Sequence, residues 1–121
     1  MKLRALRGAI TVDANDAGAI LDATEELVRA VLDQNGLDPG DLVSCIFTCT
    51  GDLDAEFPAV AARRMGLSAV PLLCAREIEV PGSLPRVIRI LVHCYADDAA
   101  PPRHVYLRDA VSLRKDLQGA Q

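Results

Sequence analysis

Arginine dominates the residues of this sequence that could take part in chemistry. Eleven of the thirteen basic residues are Arg, and two of them occupy unusual positions. Arg7 precedes Gly8 inside an alternating strand pattern, and Arg89 lies within the apolar run 87–94. Arginine offers carboxylates a planar fork of donors and keeps its charge when partly buried. Codon bias also fits the abundance of Arg, since Ala is abundant too, so the argument depends on position and not on composition.

The other residues with chemical potential are few. Glu77, Cys74 and Tyr106 accompany the arginines, and no P-loop, dinucleotide fingerprint, H-E-x-x-H motif or nucleophile elbow occurs. Neither His has an evident role beside one of the few Ser residues. This set favours a small polyanionic ligand over proton-transfer or nucleophilic chemistry. Asp52 and Asp54 lie in a Gly-containing loop, which is more typical of a turn than of a metal site.

The four cysteines predict neither a zinc site nor a disulfide framework. No two of them are spaced as C-x-x-C, and the two His stand at distances unlike those of common zinc modules. The charged amino terminus does not resemble a secretory leader, so we expect a cytoplasmic protein with reduced thiols. Cys45, Cys49 and Cys94 lie in apolar runs and are expected to be small buried hydrophobic residues.

Length and composition narrow the class of protein. With 121 residues, half of them hydrophobic and a quarter charged, the chain predicts one folded domain. A net charge of −4 argues against a general binder of nucleic acid or anionic membranes, and 3% aromatic residues are too few for base stacking. No apolar stretch approaches the ~20 residues that a membrane span needs. We expect the domain over 1–114 and a mobile tail over 115–121.

The hydrophobic pattern predicts an α+β fold with one long amphipathic helix and a short helix. The long helix should begin after Asn15 or Asp16 and end at Gly36. The short helix should have Pro58 in its first turn and reach Met65 and Gly66, and a further turn or two of helix is expected over 109–113. Gly8 in mid-strand predicts a bulge or a close backbone approach. The predicted strands cover 2–12, 42–50, 70–74, 86–96 and 103–107.

The run 87–94 is apolar on both of its faces. One long helix can cover only one face of the sheet, so the pattern predicts a homo-oligomer in which another subunit covers the other face. Arg89 then needs a partner, because an unpaired buried charge is costly. Two interpretations stay open: an ion pair with Glu77 or Glu79, and an anion site near a subunit boundary.

Taken together, these segments resemble the short monofunctional chorismate mutases of the AroH type. The resemblance covers about residues 3–117, almost the whole chain. Each matching piece is short, but all of them occur in order at compatible spacing. They are 4–12, 52–59, 70–77, 88–89, 103–107, 110–111 and 113–114.

The resemblance implies an architecture and a reaction. The expected fold is a homotrimer of mixed β-sheets with a barrel-like core and active sites between neighbouring subunits. The expected reaction is the intramolecular Claisen rearrangement of chorismate to prephenate, in aromatic amino-acid biosynthesis, with no cofactor, metal or covalent intermediate. A trimeric small-molecule binding or regulatory protein and an imine deaminase of the RidA type are the alternatives.

The resemblance also implies roles for individual residues. Arg89 corresponds to the arginine that reaches the ether oxygen of chorismate, and Glu77 and Arg7 complete the catalytic set. Arg64 is expected to be a surface residue. The residues expected to bind the substrate are Arg7, Phe57, Ala59, Arg63, Leu72, Leu73, Cys74, Ala75, Arg76, Glu77, Arg89, Tyr106, Leu113 and Arg114.

Three positions depart from the family pattern. Val60 stands where the family often has Lys, and Leu73 stands where it often has Thr. Gly51 replaces the Pro of the family form Thr-Pro-Asp-Leu. These departures bear on substrate affinity and on closure at the mouth of the site.

Overall fold

A computed structural model describes residues 1–114, and within them a five-stranded mixed sheet carries one long helix across one face. The α+β fold class is therefore confirmed. The tail predicted over 115–121 lies outside the described residues. The elements are β1 Lys2–Thr11, α1 Ala17–Asn35, β2 Leu42–Cys49, α2 Pro58–Ala62, β3 Leu72–Arg76, β4 Val87–Ala96 and β5 Val105–Leu107. None of the helices within these residues is long and apolar enough to cross a membrane.

Strand β4 is the centre of the sheet. The strand order is β3-β2-β4-β1-β5, with β4 antiparallel to both β1 and β2. The two edge strands run parallel to their neighbours, β3 beside β2 and β5 beside β1. Pairing between β1 and β4 is continuous from Lys2 opposite Ala96 to Thr11 opposite Val87. Gly8 therefore marks a close approach and not a bulge.

Alternation along β4 separates a covered face of the sheet from an open face. Ile88, Ile90, Val92 and Cys94 are at most 3% exposed and belong to the core beneath the helices. The residues between them point to the other side, where, within residues 1–114, 3₁₀-helix Arg108–Val111 covers the Val87 end. Several large side chains elsewhere on that open face are exposed to solvent. Leu3, Leu73 and Tyr95 are 56%, 61% and 49% exposed.

Helix α1 begins and ends at the predicted signals. The Asp16 side chain accepts a hydrogen bond from the Ala19 amide at 3.0 Å, which satisfies a free donor of the first turn. At the other end Gly36 adopts φ 61°, a left-handed conformation that suits glycine. The buried stripe between these caps holds α1 against the sheet; it comprises Ile20, Ala23, Thr24, Leu27, Val28 and Val31.

The short helix also begins where predicted. Pro58 stands in the first turn of α2, and the chain continues into a wider π-helical turn at Arg63–Leu67. Gly66, inside that turn, adopts φ 96°, a left-handed conformation.

Two edge strands differ from their predicted limits. Strand β3 lies two residues later than predicted, over Leu72–Arg76 instead of 70–74, because an edge strand tolerates exposed charged side chains such as that of Arg76. Strand β5 begins only at Val105, because the backbone of Arg103 bonds to a side chain instead of another strand. The amide of Arg103 donates to the Asn35 side-chain oxygen at 2.9 Å, and its carbonyl accepts from the Asn35 side-chain nitrogen at 3.0 Å.

Replacing Gly8 by Ala should destabilise the fold. A Cβ at this position would lie 3.0 Å from the Leu27 and Ile90 side chains and 3.2 Å from the Val105 carbonyl oxygen, which belongs to the backbone. We expect a loss of about 1–3 kcal/mol in the free energy of unfolding, measured by urea denaturation at fixed protein concentration. Gly40→Ala is the matched control, since nothing lies within 4 Å of its Cβ. Equal midpoints for the two variants would contradict the close approach.

Candidate active site

A cavity of about 270 Å³ opens on the open face of the sheet. Charged side chains from neighbouring strands lie around an apolar floor formed by Ile46 and Leu91, which are paired across β2 and β4. We call it the arginine cavity. Its lining residues are Arg7, Gly8, Ile46, Thr48, Glu77, Arg89, Ile90, Leu91 and Tyr106. Four of the residues singled out in the sequence meet here: Arg7, Glu77, Arg89 and Tyr106.

Glu77 is the acidic neighbour of Arg89. The Arg89 Nε atom lies 3.5 Å from Glu77 Oε2, whereas Glu79 faces the Arg76 guanidinium at 3.8 Å. The Arg89 and Glu77 side chains are 42% and 25% exposed, so this ion pair is only partly buried. Arg89 Nε itself is buried and has no hydrogen-bond partner within residues 1–114. The structure thus provides both an ion pair and a cation turned towards a cavity.

The strands hold Glu77 and Arg89 at fixed places. Arg89 lies directly opposite Thr48 in the antiparallel pairing of β4 with β2. Glu77 directly follows β3, and its backbone amide donates to the Cys49 carbonyl at 2.8 Å. The Thr48 hydroxyl donates to Glu77 Oε2, the oxygen that also faces Arg89. Sequence analysis missed Thr48, which looked like an ordinary strand residue.

A second cavity, of about 510 Å³, lies along β5 and shares Arg7 and Tyr106 with the arginine cavity. Arg103 and Arg114 also line it, and no acidic side chain is among its lining residues within 1–114. His104 Nδ1 accepts a hydrogen bond from the Arg7 amide at 3.0 Å. Burial, followed by the charge of Arg7, lowers the pKa of His104. The neutral imidazole therefore remains an acceptor, and the positive charge of this cavity comes from its arginines.

A third cavity, of about 370 Å³, lies beside the entry to α2, and we call it the Phe57 cavity. Phe57 is 66% exposed at its rim, and Cys74, Ala75 and Arg76 of β3 also line it. Cys74 pairs with Phe47, a fully buried residue of the covered face. Because neighbouring residues of a strand point to opposite faces, strands β2 and β3 separate the Cys74 thiol from the arginine cavity.

Cys49 differs from its predicted role as a buried core residue. Cys45 and Cys94 are buried as expected, but Cys49 is half-buried and lines the Phe57 cavity with Cys74. Desolvation raises the pKa of Cys49 to about 11, with further contributions from Cys74, Glu77 and Asp52. Cys49 is the last residue of β2, and that place at a strand end is the signal that could have identified it.

The remaining residues singled out in the sequence line none of these three cavities. Ala59 is 5% exposed and Leu72 packs against the core, while Leu113 packs beside the buried residues Ala9, Val87 and Ala110. Arg63 and Leu73 are exposed. A single chain therefore brings four of the predicted residues together in the arginine cavity and four in the Phe57 cavity. These five lie outside all three cavities.

The three departures from the family pattern lie in different surroundings. Val60 is half-buried on α2, and Leu73 projects from the edge strand into solvent. Gly51 lies against the Glu79 carboxylate, so a side chain at this position would require Glu79 to move. Within residues 1–114, no three His, Cys, Asp or Glu side chains are grouped so that they could hold a metal ion.

Comparison with known proteins identifies the family. The family described as chorismate mutase type I matches residues 3–117 of this chain. The chain belongs to this family. It is 52% identical over 121 residues to the chorismate mutase AroH of Thermus thermophilus, covering 98% of this chain and 99% of the relative. It is 38% identical over 119 residues to the chorismate mutase AroH of Bacillus subtilis, covering 97% and 94%.

A solved chorismate mutase shares the fold. The structure of a chorismate mutase from Clostridium thermocellum matches with a TM-score of 0.87 and 45% sequence identity. The match covers 90% of this chain and 98% of that chain. The resemblance stated from the sequence is therefore confirmed at the level of the type I chorismate mutase family.

Proposed function

We propose that residues 1–114 form one chorismate mutase domain, which rearranges chorismate to prephenate by holding fixed charges around it. The activity is an intramolecular isomerisation that serves aromatic amino-acid biosynthesis. The observation that carries the assignment of the site is the meeting of Arg7, Glu77, Arg89 and Tyr106 around one cavity. Such a set suits a small dianion.

The reaction requires fixed positive charge that stabilises its transition state, and it requires no proton transfer. Chorismate carries two carboxylates, a ring hydroxyl and an ether oxygen, and the rearrangement breaks the ether bond while a carbon–carbon bond forms. The ether oxygen gains negative charge as its bond breaks. We assign Arg89 to this oxygen, because a preorganised cation at the place where charge develops stabilises the transition state. Arg89 Nε, which has an ion-pair neighbour in Glu77 but no hydrogen-bond partner within residues 1–114, supports this assignment.

The other residues of the arginine cavity position the substrate. Arg7 and Tyr106 are assigned to its carboxylates, since a guanidinium and a phenol both donate to anions. Glu77 is assigned to the ring hydroxyl as an acceptor. Arg114, in the adjoining cavity with Arg7 and Tyr106, adds positive charge at the mouth. Holding the flexible enolpyruvyl side chain over the ring removes part of the entropic barrier.

We propose that the site is completed by a neighbouring copy in a homotrimer. The Phe57 cavity and the arginine cavity open on different sides of β2 and β3, so one small ligand cannot contact both within one chain. The exposed apolar residues of the open face support its burial against another subunit. One copy would supply the arginine cavity with Leu113 and Arg114. The other would supply Phe57, Ala59, Arg63, Leu72, Leu73, Cys74, Ala75 and Arg76.

The direct test is an absorbance assay with purified protein. We expect loss of the chorismate diene absorbance, with prephenate identified as the product and no dependence on added metal or cofactor. Absence of turnover in a protein that still binds chorismate would favour the binding-protein alternative. Absence of both turnover and binding would refute the assignment.

Arg89→Ala should lower kcat by at least about 100-fold, because the charge opposite the ether oxygen is lost. Arg64→Ala is the matched control, since Arg64 is exposed on the π-helical turn after α2 and lines none of the three cavities. The oligomeric state of both variants is measured by light scattering, to separate chemistry from assembly. Near-normal turnover in Arg89→Ala would remove this residue from the mechanism.

The turnover number should be nearly constant from about pH 6 to pH 9, because no step of the proposed reaction moves a proton. Two groups beside the cavities have perturbed pKa values, and both shifts lead away from this range. The pKa of His104 is lowered from its ordinary value, and that of Cys49 is raised to about 11. A steep bell-shaped profile of kcat within the range would argue for acid–base chemistry instead.

Mixed trimers test whether each site draws on two copies. Phe57→Asp places a carboxylate at the exposed rim, where it should repel the dianionic substrate, and Arg89→Ala removes the cation. Each variant alone should be inactive. Co-expressed in equal amounts, they should recover about a quarter of wild-type activity, because roughly one site in four then receives both native residues from two different chains. No recovery in a mixed trimer would place the whole site within one chain.

A further inference from the structure

The Thr48 hydroxyl donates a hydrogen bond to Glu77 Oε2 at the edge of the arginine cavity. Thr48 lies on the open face of β2, opposite Arg89 on β4 and beside Ala75 on β3. It therefore stands between the strand that carries the cation and the strand that leads into the carboxylate. Neither the sequence motifs nor the family resemblance assigns it a role.

The contact between Glu77 and Arg89 is incomplete. Glu77 Oε2 lies 3.5 Å from Arg89 Nε, close enough for an ion pair but too far for a good hydrogen bond. Arg89 Nε has no hydrogen-bond partner within residues 1–114, although the atom is buried. A carboxylate that was free to rotate would move towards this donor. The carboxylate instead bonds to the Thr48 hydroxyl.

We propose that Thr48 is a positioning residue that holds the Glu77 carboxylate away from full pairing with Arg89. This proposal rests on the function proposed above. By occupying Oε2, the hydroxyl leaves the other carboxylate oxygen available to the ring hydroxyl of the substrate. By the same contact it leaves the Arg89 guanidinium available to the ether oxygen.

Local geometry makes Thr48 suitable for this task. Its hydroxyl is attached to Cβ, so a single torsion, χ1, directs it from the strand backbone, and the β-branch narrows that torsion further. The Glu77 backbone is already tied to the Cys49 carbonyl at 2.8 Å, which leaves the Glu77 side chain as the part that needs positioning. A hydrogen bond from a hydroxyl to a carboxylate is stronger than one between neutral groups.

Loss of the hydroxyl would change the charge balance of the cavity. The Glu77 carboxylate would close on Arg89, because the two groups carry opposite charges and already lie 3.5 Å apart. A fully paired Arg89 offers less positive charge to an oxygen that becomes negative in the transition state. The effect should therefore appear in kcat more than in KM.

Thr48→Val tests this inference, since valine keeps the shape of threonine and removes the hydroxyl. We expect kcat/KM to fall about 10- to 100-fold, the range for losing a hydrogen bond to a charged group. Thr48→Ser, which restores the hydroxyl, should recover activity to within about threefold of the wild type. Failure of the serine variant to recover activity, with its fold intact, would overturn the proposal.

Thr24→Val is the matched control for stability. Thr24 is fully buried in α1 and its hydroxyl donates to the Ile20 carbonyl at 2.7 Å, away from the arginine cavity. This control should lower the thermal midpoint without lowering kcat. Thr48→Val should lower kcat without lowering the thermal midpoint. A loss of kcat in Thr48→Val that is matched by Thr24→Val would point to a general structural effect and overturn the proposal.

A double-mutant cycle identifies the group through which Thr48 acts. In a Glu77→Ala background, Thr48→Val should change kcat by less than about twofold, because the carboxylate that it positions is already absent. Equal effects of Thr48→Val in the two backgrounds would overturn the proposal. If Thr48→Val fails to fold, Thr48→Ala enters the same cycle, and serine rescue remains the decisive comparison.

The two proposals fail in different ways. A wild-type protein without mutase activity refutes the proposed function and this inference with it. An active wild type whose Thr48→Val variant keeps normal kcat and KM refutes the role of Thr48 alone.

Discussion

The unequal cover of the two faces of the sheet is the constraint on which the rest of the structure depends. Helices α1 and α2 lie on one face only, so one half of the residues in the central strand β4 build the core. The other half need not be apolar. Arg89 can stand in the middle of a sheet because it points away from α1 and α2, to a face that, within residues 1–114, is covered by the 3₁₀-helix Arg108–Val111 at its Val87 end. The same arrangement leaves apolar surface that a second copy can bury.

Alternation within a strand explains why so much of the fold could be predicted from the sequence. The two faces of β4, the Asp16 cap and the Gly36 end of α1 all depend on neighbours a few residues away, and all were predicted correctly. The limits of β5 were not. They depend on Asn35, which bonds the Arg103 backbone from 68 residues away in the chain. No local pattern contains that contact.

The site was predicted less completely than the fold, for the same physical reason. Arg89 stood out because a charge inside an apolar run is unusual, but its acidic neighbour could be either Glu77 or Glu79. The choice depends on how β2 pairs with β3 and β4 at once. The residue types of Thr48 and Cys49 did not by themselves indicate a place in either cavity. Their importance follows from the residues that strand pairing places beside them. The family resemblance suggested a set of site residues but did not divide that set between the two sides of the sheet.

Four of the five strands, and the residue that directly follows the fifth, contribute to the arginine cavity. Arg7 comes from β1, Thr48 from β2, Arg89 from β4 and Tyr106 from β5, while Glu77 directly follows β3. Adjacent strands are hydrogen-bonded at a spacing of about 4.8 Å, which is nearly the same in every sheet. The spacing of the strands thus sets the distances between the backbone positions that carry the charged groups. A cavity for a ligand of different size would then require side chains of different length on these strands.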